Sequence, residues 1–276
     1  MTGSTLSVIV YKMNQETLVL FDVDGTLTEA RQAIQGPMIS TLRTLCEYCE
    51  IGLVTGSGLE YIKEQLWPIF NSKTIKRNCH LLPCNGTEYL VPTEDEEMAF
   101  HTISANSIVK ELKDPGFNKL LATLCELQAR LIKEYPIPLS GHFIQNREST
   151  VNWCPIGRNA NTLQRSTFEV LDKQHSIRLT YLSILKEQLK DLKLTVKLGG
   201  DTSFDIYPDG WDKTYALTHF DLKQWDVWFV GDRCYPEGND YELFELLKHK
   251  ERSFETGGPA ETIEIINNYI LKEIGY

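Results

Sequence analysis

The sequence predicts an α/β protein: a core built on a parallel sheet, interrupted by an inserted α+β domain. Three observations predict it. Short apolar runs at TLVLFDV (17–23), IGLVTGS (51–57) and DVWFVGD (226–232) end in Asp, Thr, Ser or Gly, as strands buried on both faces do. Helix-periodic stretches near 37–49 and at LEYIKEQLW (59–67) alternate with the first two runs. Between about 92 and 208 the pattern shifts to alternating strands and longer helices, and after Gly210 the first pattern returns.

In chain order, strand 17–23 leads to the helix near 37–49, then strand 51–57, helix 59–67 and strand CHLLPCNG (79–86). TEDEEMAFHTI is acidic and opens a hairpin strand. SANSIVKELKD and the long GFNKLLATLCELQARLIKEY read as helical. HFIQNRESTVNWCPIG (142–157) alternates apolar and polar residues like a half-exposed antiparallel strand. TYLSILKEQLKDL is helical and LTVKLGGDTSFDIYP strand-like; helix DKTYALTHF, strand 226–232 and a terminal helix at ETIEIINNYILKEI follow. The expected division is a core of 1–91 plus 209–276 and an inserted cap of 92–208, with no internal repeat.

The chain has 276 residues, 42% hydrophobic and 24% charged, which suits one large or two smaller globular domains. A net charge of −10 argues against a nucleic-acid partner, which needs a basic footprint. No apolar run approaches the ~20 residues of a membrane span. MTGSTLSVIVYKMNQE lacks the basic start and long apolar stretch of a secretory signal. The expected location is cytoplasmic. Seven cysteines (46, 49, 79, 84, 125, 154, 234) are scattered; Cys46-x-x-Cys49 has no second pair or His at zinc-finger spacing and reads as thiols of a reducing compartment. The histidines are isolated from one another in the sequence, which argues against a histidine-rich metal site.

The chemistry concentrates where strands end. Asp22 and Asp24 are one residue apart, so alternation along an extended strand would send both side chains toward one reacting centre. One carboxylate can then attack phosphorus while the other moves a proton. Gly25 permits a tight turn that brings amides to phosphate oxygens, and Thr26 adds a hydroxyl. Two carboxylates beside a phosphate require a hard divalent cation, Mg²⁺ by preference. Thr55, or Ser57 in its place, ends the second strand, where a hydroxyl can bond a phosphoryl oxygen; a helix cap is the alternative use. Lys213 in PDGWDK can offset carboxylate and phosphate charge. Asp232 ends the last strand, with Asn239 and Asp240 after a Pro/Gly turn, a spacing that suits one metal ligand and groups that orient it.

In this order the motifs resemble the haloacid-dehalogenase superfamily of aspartate-based phosphotransferases, whose core is a Rossmann-like parallel sheet. LFDVDGTLT…R, PIGR, GGxxSFDxxPxGWDK and GDRxxPxGNDYE narrow the resemblance, over about 17–245, to the eukaryotic-type phosphomannomutase family. That resemblance implies an isomerase interconverting mannose 6-phosphate and mannose 1-phosphate for GDP-mannose synthesis, with a hexose 1,6-bisphosphate activator. It implies Asp22 as nucleophile and Asp24 as acid/base. Mg²⁺ would be held by Asp22, the main-chain carbonyl of Asp24, and Asp232. It also implies phosphosugar binding by Arg31, Arg147, Arg158, Arg165, Ser203 and Asp205, and a homodimer through the cap. Arginine forks suit the distal phosphate of a bisphosphate. Ser203 and Asp205, two apart on a strand, can read sugar hydroxyls from one face.

Some positions depart from the family pattern. LSGHF (139–143) stands where an Arg-Gly precedes Thr-Phe, and RES (147–149) replaces Arg-Asn-Gly. LVTGS carries threonine for the mutases' glycine, and ELLKHKERSFETGG after Phe244 replaces a loop associated with an accessory cation. A sugar-phosphate phosphatase on the same scaffold, or a phosphosugar-binding protein without turnover, are the competing readings.

Overall fold

In the computed structural model, residues 16–93 and 99–275 are described. The N-terminal stretch read for a signal and the acidic TEDEE run lie largely outside them. The strands are β1 (Glu16–Phe21), β2 (Glu50–Val54), β3 (Cys79–Leu82), β4 (Glu88–Pro92) and β5 (Phe100–Ala105), then β6 (Ile144–Arg147), β7 (Thr150–Trp153), β8 (Leu194–Gly199) and β9 (Ser203–Pro208), and finally β10 (Trp225–Gly231) and β11 (Ser253–Glu255).

A seven-stranded sheet runs β11-β10-β1-β2-β3-β4-β5. Its first five strands are parallel and β4 and β5 antiparallel. β1 is buried on both faces, as its unbroken apolar run requires: Val19 and Phe21 pack into one hydrophobic cluster, Leu18 and Leu20 into the other. The sheet extends to Ala105, later than the expected division at 91/92. The β4–β5 hairpin covers the edge that β3 would otherwise expose.

The inserted unit is a four-stranded antiparallel sheet, β6-β7-β9-β8. Val151, Trp153, Val196, Phe204 and Ile206 form its apolar face and pack with residues of helices Ile108–Glu134, Thr162–His175 and Ile177–Gln188. The long first helix is broken at Lys113 (φ +55), two residues before Pro115, which has no amide to donate.

Four local expectations change. The 142–157 segment is a hairpin, turning at Glu148 (φ +59), rather than one strand. DKTYALTHF forms a 3₁₀ helix, Lys213–His219, started by the Asp212 carboxylate accepting from the Thr214 amide. The terminal helix holds one π turn at Ile266–Ile270. β1 stops at Phe21, so Asp22 and Asp24 stand beyond the strand, where Gly25 (φ +79) turns the chain and Asp24 bridges to Thr28.

Candidate active site

Asp22 continues the line of β1, its amide donating to Val230 carbonyl on β10 at 3.0 Å. Its side chain is buried, and so is all of Lys213. The Lys213 ammonium donates to Asp22 Oδ1 and to Asp240 Oδ1. Asp240 Oδ2 accepts from the Arg233 amide at 3.0 Å. Oxygens of Asp22, Asp232 and Asp240 lie within 4.8 Å of one another. Burial pushes the Asp22 carboxyl up to about 7, with Lys213 pulling it down and Asp240 and Asp232 adding to the rise. Burial, then Asp240, pushes Asp232 up to about 6. For Lys213, burial works against the ammonium, but Asp22 and Asp240 outweigh it and its pKa is raised.

Three carboxylates, Asp22 and Asp240 buried and Asp232 half-buried, face one lysine and gather hard oxygen donors in excess of positive charge. That donor set fits Mg²⁺. Gly25 is required twice over: its φ is left-handed, and a Cβ there would lie 2.3 Å from Asp232 Oδ2. The buried Thr26 hydroxyl has no hydrogen-bond partner among the described residues.

β1 ends before Asp22 and Asp24, so the two-residue period of a strand does not set their directions. Asp22 faces Lys213, while Asp24 Oδ1 accepts from the Arg31 amide at 2.8 Å, Gln65 Nε2 at 3.1 Å and the Tyr61 hydroxyl at 3.3 Å. Thr55 is buried, and its hydroxyl accepts from the Ser57 amide at 3.1 Å; the helix that follows is capped at Gly58 instead. Asn239 is exposed, so the orienting role expected of it and Asp240 rests on Asp240, which belongs to the carboxylate cluster itself.

In the cap, the face opposite the apolar one is polar. Register aligns Gln145, Asn152, Asp205 and Lys197 in a row across the sheet. Asn152 organises it: Nδ2 donates to Asp205 Oδ1 (2.7 Å), Ser203 Oγ (3.1 Å) and the Phe204 carbonyl (3.2 Å), and Oδ1 accepts from Arg158 (3.3 Å). Arg147 donates to Gln145 Oε1 at 3.2 Å and comes to 3.9 Å from Asp205. The Arg158 pKa is lowered by burial, then by Arg147, with Arg165 adding to it, so these three guanidiniums share one neighbourhood.

Their states differ. Arg165 donates to the Ala160 and Arg158 carbonyls and the Thr202 hydroxyl, so its fork braces the loop that carries Arg158. The Ser203 hydroxyl donates to the Gly199 carbonyl at 2.6 Å and is occupied within the turn. Arg31 is exposed, with φ +61, and its amide donates to Asp24 Oδ1. The polar row reaches the core where Lys197 pairs with Glu242, two residues after Asp240.

Sequence reasoning missed Asn152, Gln65, Tyr61 and the Lys197–Glu242 pair. Two of these left a signal. Asn152 is the polar residue alternating between Val151 and Trp153, and Gln65 lies on the buried face of its helix with Ile62. Cys46 and Cys49 are buried, and burial raises both thiols, Cys49 up to about 12, as inert core cysteines require.

A parallel sheet whose strand ends gather such carboxylates around one lysine, with an α+β unit inserted in the chain, defines a haloacid-dehalogenase-like protein. Solved structures share that fold. IMP-bound Plasmodium falciparum IMP-nucleotidase, N-terminally truncated, superposes with a TM-score of 0.63 at 14% identity, covering 94% of this chain and 69% of that one. An Aspergillus fumigatus trehalose-6-phosphate phosphatase gives 0.50 at 17% identity, with 92% of each chain covered. Within that class the chain belongs to the eukaryotic phosphomannomutase family, whose family model matches residues 38–272. Phosphomannomutase of Saccharomyces cerevisiae is 36% identical over 95% of this chain and 97% of its own length. That of Schizosaccharomyces pombe is 39% identical over 83% and 85%. No helix among the described residues is long and apolar enough to cross a membrane.

Proposed function

We propose that the chain interconverts mannose 6-phosphate and mannose 1-phosphate by way of an aspartyl-phosphate on Asp22. The observation that carries this is the pairing of two separate anion-handling devices. A buried Asp22–Lys213–Asp240 cluster sits in the core, and a group of three arginines sits in the cap. A phosphatase has little need for the second; a mutase must grip the distal phosphate of a bisphosphate in either orientation.

In the first half-reaction an Asp22 oxygen bonds to phosphorus while the phosphorus–sugar oxygen bond breaks, and Asp24 gives that oxygen its proton. In the second, Asp24 takes the proton from the other sugar hydroxyl as it attacks, and Asp22 is released. Lys213 balances the charge of Asp22 and the entering phosphate. Mg²⁺, held by Asp22 and Asp232 with Asp240 beside them, would neutralise charge on the transferring phosphoryl group. Thr55 and Thr26 supply hydroxyls to phosphoryl oxygens. Arg147 and Arg158, with Arg31 at the entrance, take the distal phosphate, and Asp205 reads a sugar hydroxyl. Arg165 and Ser203 act by bracing Arg158 and Asp205. The cap shields the aspartyl-phosphate from water. A hexose 1,6-bisphosphate primes Asp22; the working location is cytoplasmic, supplying mannose 1-phosphate for GDP-mannose, and the assembly a homodimer through the cap.

The test is incubation with mannose 1-phosphate, Mg²⁺ and a trace of hexose 1,6-bisphosphate, following mannose 6-phosphate and free phosphate together. Mannose 6-phosphate should dominate. Free phosphate as the main product would overturn the mutase reading in favour of a phosphatase.

A further inference from the structure

Asp24 presents its two oxygens to different surroundings. Oδ1 accepts three hydrogen bonds, from the Arg31 amide, Gln65 Nε2 and the Tyr61 hydroxyl. Among the described residues no group hydrogen-bonds Oδ2. Gln65 is 2% exposed and lies on the inner face of helix Leu59–Leu66, an unusual place for a free amide. Its orientation follows from its neighbours. With the amide nitrogen facing the carboxylate, Oε1 lies 3.2 Å from the Thr28 hydroxyl, which it shares with the Val23 carbonyl at the same distance. The Gln65 main-chain carbonyl accepts from the Ile34 amide at 2.9 Å, tying the helix to the chain segment that follows Arg31.

We propose that Gln65, assisted by Tyr61, is the positioning residue for Asp24: it engages Oδ1 so that Oδ2 alone carries the proton. This rests on the acid/base reading of Asp24. An oxygen already accepting three hydrogen bonds has no lone pair to spare for a proton, so exchange takes place at the other one. A carboxylate free to rotate would offer either oxygen, at a range of angles, to a sugar oxygen whose position changes between half-reactions. Held by Gln65 and the Arg31 amide, the same Oδ2–H serves as the acid when the first sugar oxygen leaves. The resulting Oδ2 carboxylate is already aimed as the base when the second hydroxyl attacks. Gln65 touches neither phosphate nor sugar in this scheme and acts only through Asp24.

The test separates positioning of an acid from general packing by changing the leaving group. A sugar alkoxide needs a proton to depart, whereas p-nitrophenolate does not. Gln65→Met keeps the side-chain volume and removes the donor; Tyr61→Phe is a milder change at a half-buried site. Single-turnover phosphorylation of Asp22 by hexose 1,6-bisphosphate and by p-nitrophenyl phosphate, with Mg²⁺ present, is measured for wild type, both variants and Asp24→Asn. Gln65→Met should slow transfer from the sugar bisphosphate on the order of 10- to 100-fold, with KM unchanged and the p-nitrophenyl phosphate rate kept. Tyr61→Phe should show a smaller loss of the same selectivity. Equal losses on both substrates, or no loss on either, would overturn the positioning role. If Asp24→Asn itself loses equally on both, the acid/base reading fails and this inference falls with it.

Discussion

Lys213 and Asp22 meet in the interior although 191 residues separate them in the chain, and the lysine is wholly buried between Asp22 and Asp240. Removing one partner of such a group leaves uncompensated buried charge. Lys213→Met should therefore cost about 3–5 kcal/mol of stability at neutral pH, read by urea denaturation in chelator, and abolish phosphoryl transfer. The loss should shrink toward pH 5, where Asp22 and Asp232 take up protons. A variant as stable as wild type at pH 7.5 would contradict this account of the cluster.

Metal-free protein should lose stability as pH rises from about 4 to 7. The folded protein holds Asp22 up to about 7 and Asp232 up to about 6, against 3.8 in the unfolded chain. Within that window the folded state binds more protons than the unfolded one, so the slope of unfolding free energy against pH is negative. Millimolar Mg²⁺ should flatten or reverse it, because binding favours the ionised carboxylates of the folded state. Denaturation curves across pH with chelator and with Mg²⁺ measure both; a rising slope in chelator would count against the assigned shifts.

Arg158 and Arg165 should respond differently to the same substitution. Arg158 bonds only weakly to Asn152 and is crowded by like charge. Arg158→Met should leave ligand-free stability within about 0.5 kcal/mol while raising KM for the phosphosugar at least tenfold. Arg165→Met strips two carbonyls and the Thr202 hydroxyl of their donor, and should destabilise by about 1–3 kcal/mol. Melting temperatures and steady-state kinetics on the pair would show whether one grips phosphate and the other braces.

Lys197 and Glu242 join cap to core, Glu242 two residues from Asp240 of the carboxylate cluster, both partly exposed. As a screened pair it contributes within about 1 kcal/mol, so Lys197→Ala should barely change melting. Its effect should appear in partition: a looser cap admits water to the aspartyl-phosphate and raises free phosphate relative to mutase product. Glu242→Gln should do the same. Unchanged partition in both variants would remove the pair from any part in closure.

The parallel core was legible because β1, β2 and β10 are apolar on both faces, a pattern few other structures need. Asp22 and Asp232 were legible because they follow the apolar runs of such strands, and Lys213 because PDGWDK places a lysine at the start of a helix. The hairpin at Glu148 was not, since alternation through 142–157 looks the same whether or not the strand folds back. The β4–β5 extension of the core was hidden for a similar reason, its acidic approach reading as the start of another unit.

Sequence alone determined the sheet, the order of motifs and the residue types of a phosphoryl-transfer site, because burial and turn chemistry act on neighbouring residues. Which groups touch was decided by tertiary structure. Only folding could bring Lys213 between Asp22 and Asp240, give Asn152 its hub in the cap and put Gln65 and Tyr61 behind Asp24. Those contacts join residues tens to hundreds of positions apart, and side-chain direction beyond the end of a strand follows packing rather than period.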